Sequence, residues 1–302
     1  VKYEKPQQML LFELKNGKSI MTRIWAAQTL ANFRNGDVVL ALKESMANDP
    51  FWKVQAEVAK ALGSINTEAA LDALVQGASV KHPKARRAVV KALGEFKTEK
   101  AAEALLRVLA KDESYFVEAE AAKSLGKTKS SKSFDTLQDA FRTKDSFREV
   151  IKARILEGFG ELKDERALPI LLTATKYGQH FRIRQSATKA LAKFGHSDGK
   201  AFERLTELLK DKNHYVRTAA IEALEEIREP RALADLDWVV EHELDGGVKR
   251  AARHAIFKIR EHLEKSVEWR KLQDEIEQLK QENRRLRERI DTLESRMSKD
   301  KT

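Results

Sequence analysis

A helical pattern of apolar residues recurs along most of the chain with a nearly constant period. A ten-residue segment with small and large apolar residues at fixed positions recurs, for example at residues 54–63, 85–94 and 117–126. The copies of this segment end at residues 31, 63, 94, 126, 160, 192, 225 and 257, so they are spaced by 31 to 34 residues. Such a period indicates repeated supersecondary units that stack, because one unit alone cannot bury its apolar face.

Two neighbouring columns of the repeat predict close helix packing. A large apolar residue always follows a small one, and this combination lets adjacent helices approach and interdigitate. The large column reads Leu30, Leu62, Leu93, Leu125, Phe159, Leu191, Leu224 and Ile256, and the small column reads Thr29, Ala61, Ala92, Ser124, Gly158, Ala190, Ala223 and Ala255.

Each repeated segment follows another amphipathic stretch, as at residues 69–78, 101–110 and 201–209, with apolar residues at helical spacing. The chain has only 13 Gly and 5 Pro, too few turn formers for an all-β fold. We therefore predict an all-α fold, an α-solenoid of about eight helix–turn–helix repeats that resemble HEAT repeats. Predicted N-caps are Thr67, Thr98, Asp164 and Asp198, and Pro50 and Pro83 are predicted to open second helices.

From residue 266 the apolar period changes to seven, which predicts a leucine-zipper-like coiled coil over residues 266–298 and a tail at 299–302, after a solenoid over 9–265. Ile at a positions, Leu at d positions and one Asn at an a position favour a parallel homodimer. The alternative is a single amphipathic helix docked on the chain's own solenoid. The residues predicted to form the dimer seam are Leu272, Ile276, Leu279, Asn283, Leu286, Ile290 and Leu293.

A column of mostly basic residues near the start of each second helix has two interpretations. It contains Arg23, Gln55, Arg86, Glu118, Lys152, Arg184, Arg217 and Lys249. It could bind anions such as nucleic acid, or it could pair with Asp49, Asp112, Asp145, Asp211 and Asp245 in a ladder between stacked repeats. Glu118 interrupts the column and few aromatic residues alternate with it, so we favour the ladder and expect no nucleic-acid partner.

No catalytic motif is found in the sequence. The chain has no Cys, and His242-Glu243 is not followed by the second His of a zinc-peptidase motif. A Gly-rich phosphate loop and an apolar run long enough to span a membrane are also missing from the sequence. The 57 Lys and Arg residues against 47 Asp and Glu residues give a net charge of +10, spread along the chain. The sequence therefore indicates no enzyme activity, no metal and no cofactor for this chain, and we expect a cytoplasmic location.

Three stretches resemble the helical C-terminal region of aminopeptidase N-like zinc metallopeptidases: residues 48–57, residues 168–178 and residues 247–253. Asp49-Pro50-Phe51-Trp52 and Lys176-Tyr177-Gly178 are their distinguishing parts. Residues 1–8 look like the end of a β domain that precedes the solenoid in that family. Because the chain also starts with Val1 and not Met, we expect a fragment of a longer protein.

The resemblance implies a non-catalytic domain that caps a peptidase site, with zinc held upstream of this chain. By that resemblance, second helices line a concave face that binds peptide or protein, with Arg86, Arg184 and Arg217 as contacts. Two alternatives remain: a free-standing HEAT-repeat scaffold for protein partners, and a HEAT-like nucleic-acid binder.

Overall fold

The computed structural model describes the backbone of residues 4–195 and 198–299. It describes side chains for residues 6–195, 198–265, 267, 269 and 275–285. Over these residues the backbone forms helices and turns without any strand. The chain divides into two compact units, Val1–Ile227 and Arg228–Thr302. The predicted all-α fold is confirmed.

Helices alternate between first and second members of each repeat. The first helices are α1 (Glu4–Asn16), α3 (Gly36–Asn48), α5 (Glu68–Gly77), α7 (Glu99–Lys111), α9 (Ser133–Thr143), α11 (Leu168–Ala174), α13 (Gly199–Leu208) and α15 (Ala232–His242). The second helices are α2 (Ile20–Leu30), α4 (Trp52–Ile65), α6 (Pro83–Leu93), α8 (Tyr115–Thr128), α10 (Val150–Leu162), α12 (Phe181–Leu191), α14 (His214–Ile227) and α16 (Gly246–Lys299).

In the first unit, each second helix packs on its own first helix, and the second helices from α2 to α12 also pack on the second helix of the next repeat. The large apolar column is buried there, as Leu62, Leu93, Leu125 and Phe159 show. Glycines near the C-terminal ends of these helices lie against the next helix. A Cβ atom on Gly126, for example, would lie 2.0 Å from the carbonyl oxygen of Gly158. The sequence pattern of large and small columns therefore predicts the packing correctly.

Most of the predicted helix starts are confirmed. Thr67 Oγ1 accepts a hydrogen bond from Ala70 N, and Thr98 Oγ1 accepts one from Ala101 N, both at 3.3 Å. Asp198 caps α13, and Asp164 caps a 3-10 turn, Glu165–Ala167, before α11. Pro83 is the first residue of α6, but Pro50 lies two residues before α4 begins, so its predicted position was wrong.

Two predicted boundaries differ from the structure. Residues 4–8, which the family resemblance assigned to the end of a β domain, form the first turns of α1, because Leu10 and Leu14 of this helix are buried in the first repeat. The helix does not end where the solenoid was predicted to change to a coiled coil, after residue 265. Instead, α16 runs without interruption from Gly246 to Lys299. No Gly or Pro occurs after Gly247 to stop the helix.

The start of α10 is irregular. A 3-10 turn, Phe147–Glu149, precedes it, and Arg148 and Glu149 both have positive φ angles, 55° and 58°. Non-glycine residues rarely adopt this conformation. This irregular start has no signal in the sequence, since the apolar segment at 151–160 is regular and lies within α10.

In the second unit, α15 packs on the first third of α16. Val248, Ala252, Ala255 and Ile259 form the buried face of α16 there. α15 ends at His242, and the ring of His242 stacks on Trp238 at 4.7 Å.

Candidate functional site

Three arginines of the basic column form a ladder between stacked repeats. Each guanidinium makes two hydrogen bonds to one aspartate of the next repeat, and its third nitrogen donates to a loop carbonyl of its own repeat. The pairs are Arg23 with Asp49 (2.7 and 3.3 Å), Arg86 with Asp112 (2.8 and 2.9 Å), and Arg184 with Asp211 (3.0 and 2.9 Å).

Each aspartate of the ladder also stabilises the loop before the next second helix. Asp112 Oδ1 accepts a hydrogen bond from Ser114 N at 2.8 Å, and Asp211 Oδ1 accepts one from Asn213 N at 2.8 Å. The hydrogen bond from Arg86 to Asp112 raises the pKa of Arg86. The ladder therefore fixes the spacing of neighbouring repeats and the conformation of their loops.

The interruptions of the basic column have matching partners. Glu118 accepts a hydrogen bond from Lys144 of the next repeat at 2.6 Å, so this rung has its charges reversed. Lys152 binds Asp145 of its own repeat, and Gln55 donates to the carbonyl oxygen of Asp49. Glu118 thus continues the ladder, although its charge breaks the basic pattern of the sequence.

The three arginines predicted to contact a ligand all make hydrogen bonds within the protein. The donors of Arg86 and Arg184 are engaged by Asp112 and Asp211, and Arg184 is buried. Arg217 donates to the backbone carbonyls of Asp211 and Lys212. Their role in ligand binding stays a prediction, and the structure offers a more accessible surface nearby.

That surface, here named the second-helix groove, lies across α4, α6, α8 and α10 and encloses about 1070 Å³. Small residues, Ala56, Gly63, Ala88 and Ala92, leave room between the helices. Cationic side chains outnumber carboxylates along its walls, so the groove favours an acidic ligand. The cations are Lys53, Lys60, Lys84, Arg87, Lys91, Lys123, Lys127 and Arg154; the carboxylates are Glu57, Glu95, Glu120 and Glu161.

Some of the charged side chains of the groove form ion pairs, but part of the positive charge is not neutralised in this way. Arg87 binds Glu120 at 3.0 Å and Lys127 binds Glu95 at 2.8 Å, both between neighbouring repeats. Lys53, Lys84 and Lys91 are exposed, and none of them forms an ion pair with a carboxylate in the part of the chain that the structure describes, although Lys53 helps to lower the pKa of Glu57. The ammonium of Lys84 lies 4.8 Å from the ring centre of Trp52.

Two carboxylates have lowered pKa values: Glu57 of the groove, and Glu157, which pairs with the groove residues Lys123 and Arg154. Burial alone would raise the pKa of Glu157, but Arg154 and Lys123 outweigh it and hold that pKa below its ordinary value. Burial of Glu57 is likewise outweighed by hydrogen bonds from Lys60 and Gln28, so the pKa of Glu57 is lowered. Neither Glu57 nor Glu157 therefore has the raised pKa of a general acid.

Sequence reasoning missed the free lysines of the groove, because they occupy different turns of two helices, α4 and α6, and form no motif. Among the described side chains, no group of three or more His, Cys, Asp or Glu residues could hold a metal ion. No helix in the described ranges has both the length and the apolar character that a bilayer span requires.

The predicted dimer seam lies on α16. Ile276 and Leu279 are 45% and 63% exposed, and Asn283 is also exposed. Leu272, Leu286, Ile290 and Leu293 belong to the same helix, but their side chains lie outside the described residues. Dimerisation stays a prediction.

Comparison with known proteins identifies the repeats. The family described as HEAT repeats matches residues 8–83, 72–153 and 183–256. No curated protein matches the sequence.

Several solved structures are similar to this chain. Kap121p bound to Nup53p has a TM-score of 0.51 at 11% identity, over 85% of this chain and 33% of that chain. Human deoxyhypusine hydroxylase has a TM-score of 0.40 at 17% identity, over 85% and 96% of the two chains. The CpcE–CpcF phycocyanin lyase complex from Nostoc has a TM-score of 0.45 at 17% identity, over 84% and 94%. At 11% identity, the similarity to Kap121p supports the fold alone.

Proposed function

Because the chain belongs to the HEAT-repeat family, we propose that it is a protein-binding scaffold whose second-helix groove holds an acidic segment of a partner protein. The observation that carries this proposal is the excess of cations along the groove, where Lys84 and Lys91 form no ion pair with a carboxylate among the described residues. Complementary charge speeds association and selects the partner. The small residues between the helices leave space for the partner's side chains.

A photo-cross-linking amino acid at Ser64, inside the groove, tests this proposal in cell extract. We expect adducts with partner peptides rich in Asp and Glu, because the free lysines attract carboxylates. The triple variant Lys53→Glu, Lys84→Glu and Lys91→Glu is expected to lower the adduct yield about tenfold or more. Mass spectrometry of the adducts measures both results.

The matched control places the same cross-linker at Lys111, an exposed residue of α7 that does not line the groove. A second control reverses three charges elsewhere, at Lys18, Lys111 and Lys200. Equal adducts from Ser64 and Lys111, or equal loss with both triple variants, would contradict the proposal.

We propose in addition that the scaffold is a parallel homodimer joined by α16. In its described part beyond residue 264, this helix has exposed side chains only, including Trp269, Ile276 and Leu279. A single helix with an apolar heptad stripe gains stability by covering it with a second helix. The charges at g and e positions, such as Glu275 and Lys280, are attractive in a parallel dimer.

Sedimentation equilibrium measures the dimer directly. The full chain is expected at twice its own mass, and Leu279→Asp is expected near the monomer mass, because it places a charge in the seam. Gln281→Asp adds the same charge at an outward heptad position and is expected to leave the dimer intact. Equal masses for the full chain and a chain ending at His262 would reject dimerisation by α16.

The link to an aminopeptidase N-like parent stays a proposal that rests on the resemblance of residues 48–57, 168–178 and 247–253. The comparisons match the repeats and give no link to a zinc peptidase. The scaffold proposal does not depend on this link, since the groove is formed by this chain alone.

A further inference from the structure

Aromatic rings from two neighbouring repeats of the first unit come together at the surface, beside the loops that precede α12 and α14. The rings of Phe181 and Tyr215 stack at 5.8 Å, with an interplanar angle of 25°. His180 lies against Phe181 at 4.7 Å. Tyr177 and Tyr215 are 61% and 50% exposed. We name this surface the aromatic platform; it consists of Tyr177, His180, Phe181, Arg182, Lys212 and Tyr215.

Cations lie over the rings of the aromatic platform. The ammonium of Lys212 is 5.5 Å from the ring centre of Tyr177, and the guanidinium of Arg182 is 5.8 Å from that of Phe181. Residues 175–182 and 212–217 contain no Asp or Glu. The nearby Asp211 is 5% exposed and is bound by Arg184. The exposed charge of the platform is therefore positive only.

The ladder holds the two loops in place. Arg184 bridges them, because it binds Asp211 at 2.9 and 3.0 Å and donates to the carbonyl oxygen of Gln179 at 2.6 Å. Gly178 has a φ of 95°, which lets the first loop turn sharply beside Tyr177. A surface that is already ordered loses little entropy when a ligand binds.

We infer that the aromatic platform is a second protein-docking site, for an acidic segment that also carries an aromatic or branched apolar side chain. Carboxylates of the segment would bind Arg182 and Lys212, and its apolar side chain would cover the exposed ring faces. Tyrosine and arginine are the residue types that most often dominate binding at protein interfaces. This inference goes beyond the groove and does not require that the groove bind a partner.

The charges around the platform favour a protein segment over a nucleic-acid strand. Lys189 pairs with Glu222, and Lys193 pairs with Glu226, on the next turns of α12 and α14. These two cations, which follow Arg182 in the chain, are therefore neutralised by carboxylates. A nucleic-acid strand needs a longer series of cations along its phosphates, whereas a few carboxylates fit the space here.

Fluorescence anisotropy of a labelled peptide of alternating Glu and Tyr, added to the full chain, tests the inference. The double variant Tyr177→Ala and Tyr215→Ala is expected to weaken binding about tenfold or more. The double variant Arg182→Ala and Lys212→Ala is expected to weaken it similarly and to flatten its dependence on salt. Tyr177, Tyr215 and Lys212 are exposed and Arg182 is partly exposed, so the circular dichroism spectrum should stay unchanged.

Phe116→Ala is the matched control, because Phe116 occupies the repeat position of Tyr215, is 48% exposed and stands among Asp112, Glu113 and Glu118. It is expected to leave peptide binding unchanged. Equal binding by all variants would overturn the inference, and so would stronger binding of a labelled oligothymidine. Loss of binding with the groove triple variant alone would place the peptide in the groove, which overturns the platform and leaves the proposed function standing.

Discussion

Arg184→Met is expected to lower the free energy of unfolding by about 3–5 kcal/mol, the loss typical when one partner of a buried ion pair is removed. The substitution leaves the carboxylate of Asp211 buried, since this residue is only 5% exposed. The hydrogen bond from Arg184 to Gln179 is lost as well. Urea denaturation followed by far-UV circular dichroism measures the change.

Two further variants test the physical reason for this loss. Asp211→Asn keeps an oxygen that can accept the hydrogen bond from Asn213 N, but it removes the charge. Combined with Arg184→Met, it is therefore expected to recover a large part of the lost stability. Arg107→Met replaces an exposed arginine of α7 and is expected to change stability by less than about 0.5 kcal/mol. An Arg184→Met effect as small as that of Arg107→Met would contradict the buried ladder.

The sequence was sufficient for the repeats because their packing depends on local columns. Leu62 and Gly63 recur at one spacing, and each recurrence meets the same neighbour one repeat later. The N-caps at Thr67 and Thr98 were predicted for the same reason, since capping involves residues only three positions apart.

Contacts between repeats were harder to predict. The sequence suggested aspartates just before the basic column as partners, yet Arg86 binds Asp112, which lies 26 residues later. Stacking brings the loop of the following repeat beside each arginine, and a pattern within one repeat cannot show this. Glu118 was interpreted as an interruption because its partner, Lys144, also lies in the next repeat.

The candidate sites were missed for a related reason. The free lysines of the groove come from α4 and α6, and the aromatic platform combines residues from Tyr177 to Tyr215. Few aromatic residues alternate with cations along the chain, so the linear pattern does not indicate such a surface. Folding places Phe181 against Tyr215, although they are separated by a complete repeat.

Gly126→Ala is expected to destabilise the first unit by about 2 kcal/mol or more, although alanine favours helix by about 1 kcal/mol. The new Cβ atom would lie 2.0 Å from the carbonyl oxygen and 2.8 Å from the Cα atom of Gly158. Both are backbone atoms of α10, so α8 and α10 would have to separate, and the contacts around Leu125 and Phe159 would loosen. Urea denaturation of the full chain measures the loss.

Gly36→Ala provides a control with the opposite sign. Gly36 is the first residue of α3, and a Cβ atom there would have no neighbour within 4 Å. The alanine reduces the freedom of the unfolded chain without any clash, so stability is expected to rise by about 0.5 kcal/mol. If Gly126→Ala also stabilised the protein, α8 and α10 could not be in backbone contact, and the small column would not set the spacing of the repeats.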